Sequence, residues 1–177
     1  MTSSDFETAI EAWHDFYLAV AGASAALLGL LFVGVSINLA AIAAAERVDL
    51  RALAGQAFVN LVYVLFVALV MLVPSPNPQA IAIGLGAIAA LGLGRVTRNL
   101  RVIARGQPRI VDQLPVVRRF AWTVIADLAL LIVALNFYVV ADPRMAAFLI
   151  VAVFVLMIDA ADVAWSVLVK ATRDGPA

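Results

Sequence analysis

Five apolar runs, separated by proline or by charge, take up most of this chain and leave it one way to fold: as a bundle of membrane-spanning helices. A bilayer core is crossed by roughly 20 helical residues, and inside it backbone N–H and C=O groups must be bonded within the protein. The runs cover about residues 13–45, 50–73, 79–94, 116–140 and 143–170. The chain is 65% hydrophobic and 14% charged, where a soluble domain is about half apolar and a quarter charged. Its 177 residues leave room for one membrane domain, residues 13–170, between an acidic external tail (1–12) and a cytoplasmic tail (171–177).

The boundaries follow from local chemistry. The first run is too long for a bilayer, so it is expected to protrude past Asn38 or to break near it. The second stops at Pro74, because Pro74-Ser75-Pro76-Asn77-Pro78 cannot be helical. Asn77-Pro78 and Asp142-Pro143 each offer an N-cap followed by proline at the first helical position. The third run is short and continues as a cationic helical stretch to Arg105, which puts Arg95 at or just inside the membrane boundary.

Charge then orients the bundle. Of the twelve Lys and Arg residues, Arg47, Arg51, Arg95, Arg98, Arg101, Arg105, Arg109, Arg118, Arg119, Lys170 and Arg173 fall on one side of this map, and Arg144 alone on the other. Cytoplasmic loops carry the excess of Lys and Arg. The expected fold is therefore an all-α integral membrane bundle of five transmembrane helices, N-terminus outside and C-terminus cytoplasmic. Trp13, Tyr17 and Tyr138 near one boundary and Trp122 and Trp165 near the other agree with it. Five spans also argue against an internal inverted repeat, so a transporter would have to build its pathway by oligomerising.

Three carboxylates lie within spans, Asp127, Asp159 and Asp162. Ionisable groups there are costly and point to function unless they are paired. Asp127 lies about 12 Å along its helix from Arg119, and Asp162 about 12 Å from Lys170, by helical rise. Asp159 is one turn deeper than Asp162 on the same face, and Asn60 reaches a similar level in the second span, sharing its face with Gln56 and Tyr63. The expectation is a polar layer in the cytoplasmic half. Three readings of it stand: Asp159 or Asp162 pairs with Arg95 or Arg98 and pins two helices together; a water-filled vestibule hydrates the carboxylates; or the layer is a proton or cation site formed by Asp127, Asp159, Asp162 and Asn60.

Small residues form a second pattern. Gly22, Ala26, Gly29, Val33, Ser36 and Ala40 fall on one face of the first span, and Gly86, Ala90 and Gly94 recur at four-residue steps in the third. Such faces let helix backbones approach closely in lipid. They read either as packing within one chain or as the seam of a homo-oligomer.

Other chemistries find little support. The chain has no cysteine, so disulfides, thiolate catalysis and cysteine metal sites are excluded. The one histidine, His14, sits between Glu11 and Asp15 and reads as a solvated helix end rather than a metal site. No phosphate loop, nucleophile elbow or zinc-protease motif is present, and no cofactor is called for. The seven arginines between residues 95 and 119 read as a topology signal and an attraction for anionic inner-leaflet lipid. They also offer a contact for a membrane-protein partner; without interleaved aromatics they do not suggest nucleic acid.

The stretch Ala25-Ala26-Leu27-Leu28-Gly29-Leu30-Leu31-Phe32-Val33-Gly34-Val35-Ser36-Ile37-Asn38-Leu39, preceded by Trp13-His14-Asp15-Phe16-Tyr17, resembles a group of small bacterial multi-span membrane proteins. Arg51-Ala52-Leu53 and Leu72-Val73-Pro74 extend the resemblance, which covers roughly residues 13–74. Some of these proteins carry the label modulator of FtsH protease, a regulator of a membrane-anchored quality-control protease. The resemblance implies a bacterial inner-membrane protein with a non-enzymatic role. It would make the arginine-rich loop and Ser36-Ile37-Asn38 contact regions. The leading expectation is a scaffold or accessory protein; a proton or cation conductor using the intramembrane aspartates is the alternative.

Overall fold

Each apolar run contains a helix in the computed structural model, which describes residues 3–39, 48–74, 77–105 and 114–173. Five helical stretches are long and apolar enough to cross a membrane: His14–Ile37, Ala54–Met71, Pro78–Arg98, Trp122–Val139 and Pro143–Ser166. The chain is thus an all-helical multi-pass bundle, with no strand among the described residues. In chain order the helices are α1 (Ser3–Glu11), α2 (His14–Ile37), α3 (Val48–Met71), α4 (Pro78–Arg105), α5 (Leu114–Val139) and α6 (Ala146–Arg173), with a 3-10 turn at Pro143–Met145 before the last.

Caps explain most of these limits. The Asn77 side-chain oxygen accepts from the Gln79 N–H at 2.9 Å, ahead of Pro78 at the first position of α4. Asp142 does the same for the Arg144 N–H at 3.0 Å, with Pro143 behind it. The α5 helix ends by wrapping back: the N–H groups of Val140 and Ala141 both donate to the Asn136 carbonyl, and Ala141 takes a left-handed φ of 55°. The α2 helix stops at Ile37. There Asn38 Nδ2 donates to the Gly34 carbonyl at 2.9 Å and Ser36 Oγ to the Phe32 carbonyl at 2.8 Å. Both polar side chains of the Ser36-Ile37-Asn38 segment thus bond back to carbonyls one turn earlier in their own helix.

Helices α3, α4, α5 and α6 form a ring whose most extensive contact is α4 on α5, followed by α6 on α3, then α5 on α6, with α3 packing more lightly on α4. The α2 helix lies outside the ring against α3 and is the least buried of the five spans. The end of the ring next to α1 is filled with apolar side chains, among them Val64, Val67, Leu85, Leu130, Val133, Phe137, Leu149 and Leu156. A smaller cluster of Leu31, Ala57, Leu61, Ala160 and Val163 joins α2, α3 and α6 further along.

Two expectations change here. Residues 3–11, expected as part of an acidic external tail, are helical. They form α1, whose Phe6 and Ile10, one turn apart, are buried in the same core, with Phe6 edge-on to Phe137 at 5.3 Å. The packing role expected for the small-residue stripe of the first span is also not met within the chain. Gly22, Ala26, Gly29 and Ser36 are exposed, and a Cβ on Gly22 or Gly29 would meet nothing within 4 Å. On α4 the expected set divides: a Cβ on Gly86 would lie 3.8 Å from Ala134, whereas Ala90 and Gly94 are exposed. The close approaches fall on glycines outside both patterns, Gly84 against Val70 and Gly92 against Asp127.

Candidate functional site

Polar side chains gather at the other end of the ring, toward the arginines of α4. On α3, Gln56, Asn60 and Tyr63 follow helical steps of four and three and so share a face. Thr123 and Asp127 do the same on α5. Gly92 and Arg95 come from α4 and Asp159 from α6. All four helices of the ring contribute.

Two of these side chains are joined directly. Asn60, fully buried, donates from Nδ2 to Asp159 Oδ2 at 2.7 Å, and Gln56 Nε2 reaches the same oxygen at 3.5 Å. This amide–carboxylate contact ties α3 to α6. Asp159 is half-buried and Asp162, one turn further along, is exposed.

Asp127 is different. Its side chain is 0% exposed, and neither carboxyl oxygen has a hydrogen-bond partner. The carboxyl group lies so close to Gly92 that a Cβ there would overlap both oxygens. The absence of a side chain at Gly92 is what makes space for it. Beside this pair is a cavity of about 10 Å³, lined by Asn60, Tyr63, Gly92, Arg95 and Thr123 among others. That is room for about one water-sized molecule. Asn60 Oδ1 and Thr123 Oγ1, which belong to side chains on this cavity, are also buried without a partner.

Among the described side chains, Arg95 is the source of positive charge that acts on Asp127. Its half-buried guanidinium lies beside the Tyr63 hydroxyl and within electrostatic reach of Asp127, with the exposed Arg98 one turn on. Asp127 on α5 is a carboxylate in the field of Arg95, in addition to the pairing of Asp159 or Asp162 with Arg95 or Arg98 that the sequence suggests. Thr123 and Gly92 are the members of the cluster that sequence reasoning missed. Thr123 had a signal, being four residues before Asp127 on the same helix face. Gly92 had none, because which residue of α4 faces Asp127 depends on how the two helices pack. Of the arginine run, Arg109 lies outside the described residues, as does Arg47.

The chemistry is that of a desolvated carboxyl group with one cation nearby. An ionised carboxylate without donors is very costly in a medium that hydrates it poorly. It is made tolerable by a proton, by a bound cation or by a guanidinium brought into contact. The opposite end of the molecule offers less. An open groove of about 200 Å³ there is lined by Ile10, Glu11, His14, Met71 and Pro74 among others. His14 Nδ1 is 3.2 Å from Asp15 Oδ1, both side chains being exposed and adjacent in sequence. Among the described residues no group of three metal-ligating side chains forms.

No protein-family model, no curated protein and no solved structure matches this chain.

Proposed function

We propose that this chain is a non-enzymatic accessory or regulatory protein of the bacterial inner membrane. In this reading its arginine end faces the cytoplasm and anionic lipid headgroups. The observation that carries it is the division of the ring. From Leu130 and Val64 to Phe137 the buried interior is predominantly apolar, and Phe6 and Ile10 of α1 join that core. The cluster around Asp127 lies in the other half. A site reached from one side suits a protein that senses or holds a partner better than one that conducts through itself. A membrane-bound protein, such as the protease regulated by the proteins its first span resembles, is the partner class for the arginine-rich segment 95–119. The outward small-residue face of α2, Gly22, Ala26 and Gly29, favours a second copy of the chain as a further partner.

The test is proton and monovalent-cation flux into liposomes holding the purified protein, beside the Asp127→Asn, Asp159→Asn, Asp162→Asn triple variant. Flux equal to that of empty liposomes is expected for both. Flux that appears with the native chain and is lost in a folded triple variant would replace this reading with a conductor.

A further inference from the structure

We infer that Asp127 is a reversible proton-binding site filled from the arginine end, with Arg95 as the counterion that replaces the proton. The inference rests on the closed-bundle reading above, since it has the proton enter and leave by the same end.

Four observations converge on it. Asp127 is fully buried with both oxygens unpartnered. Unpartnered oxygens of Asn60 and Thr123 belong to side chains that line one small cavity with Gly92, against which the Asp127 carboxyl rests. A polar cavity of this size has room for one water, and a water there would be placed to relay a proton. The half-buried Arg95 lines the same cavity, so Gly92 and the first arginine of α4 border one space. Finally, Arg95 stands between two acceptors: it lies beside the Tyr63 hydroxyl, with Asp127 within its field.

The two states follow from charge balance. With the proton on Asp127 the carboxyl is neutral and tolerates its apolar wall, while Arg95 rests on Tyr63. When the proton leaves, the new carboxylate needs a cation, and the long arm of Arg95 carries a guanidinium that already acts on both Tyr63 and Asp127. That move shifts Arg95 from α3 to α5 and changes which helices the arginine end holds together. Asp159 and Asp162 on α6 and Arg98 on α4 are further charged groups of the packed helices. Asp159 on α6 is held by Asn60 and Gln56 of α3, and Arg98 on α4 is exposed. A bound metal cation is the weaker alternative, because the guanidinium of Arg95 lines the same small space and would repel it.

The experiment is infrared difference spectroscopy of the full chain in nanodiscs across a pH titration, reading the carbonyl stretch of protonated carboxyl groups. The native protein is expected to show a band that appears reversibly on acidification and is lost in Asp127→Asn. Arg95→Gln removes the replacement counterion, so there the band is expected to persist to higher pH. Should Asp127→Asn not fold, Arg95→Gln carries the test, because it leaves the carboxyl in place. The inference is overturned if the native and Asp127→Asn spectra titrate alike, if Arg95→Gln leaves the titration where it was, or if the band responds to sodium at fixed pH. Its fate is separable from that of the proposed function. Titration together with liposome flux would remove the closed bundle and with it the single-ended path, leaving only proton binding at Asp127. A silent carboxyl in a flux-free protein would do the reverse.

Discussion

The two ends of the bundle are built on different terms. At the α1 end, large apolar side chains meet one another: Phe6 stands edge-on to Phe137, and Phe16 edge-on to both Trp13 and Tyr17. At the arginine end, Gly92 leaves a space, Asp127 enters it, and three residues keep polar atoms unpartnered. The α1 end has unpartnered atoms too, the Tyr17 hydroxyl and the Asn136 amide oxygen. Both groups are neutral, and burying a neutral polar group costs about 1–3 kcal/mol, far less than burying a charge. One end therefore supplies cohesion, and the other carries a group whose state depends on its surroundings.

The largest effect should come from breaking the cohesive end. Phe137→Ala removes a fully buried ring and the partner of Phe6. A loss of about 3 kcal/mol is expected, near the low end for such truncations because lipid is as apolar as the group removed. Unfolding in mixed detergent micelles measures it, and hydrogen exchange should show α1 losing protection while the amides around Asp127 keep theirs. Equal loss of protection at both ends would mean the halves are one cooperative unit.

A smaller effect separates the two ends from the other side. Gly92→Ala pushes a methyl group into the Asp127 carboxyl and should cost about 1–3 kcal/mol by overpacking. Asp127→Ala alone should be nearly neutral, since it removes a buried polar group that has no partner. Combined, the two should recover most of the loss, and a double-mutant cycle on unfolding free energies reads that coupling. Strict additivity would show that the carboxyl does not occupy the space above Gly92. The smallest effect is expected outside the ring. Gly29→Leu lies on an open face and should change unfolding by less than about 0.5 kcal/mol. The same variant should lower the oligomer fraction counted by single-molecule photobleaching, if a second copy covers that face.

How much of this was legible in the sequence depends on whether the signal was local. The five helices were, because hydropathy, Asn77-Pro78 and Asp142-Pro143 are properties of short stretches. Counting helical rise from Arg51 and Lys170 puts Asn60 and Asp159 in one polar layer, and the two are hydrogen-bonded. What was missed depends on rotation about helix axes. The four-residue steps of Gly86, Ala90 and Gly94 suggested one packing face, yet the residue against Asp127 is Gly92, and Gly94 has open space beside it. The stripe on α2 showed that a smooth face exists without saying that it turns away from the ring. In the segment read as an acidic tail, Phe6 and Ile10 were a visible one-turn pair, outweighed by Asp5, Glu7 and Glu11 around them.

The contact between Phe6 and Phe137 has a consequence for biogenesis. The two rings are separated in the chain by α2, α3, α4 and nearly all of α5, so the earlier one is inserted long before its counterpart exists. Until Phe137 has emerged, α1 lacks the ring that its Phe6 meets edge-on in the finished bundle. Its docking is thus a late event of assembly, and whatever recognises exposed amphipathic segments has, in α1, a marker that separates a finished chain from an arrested one.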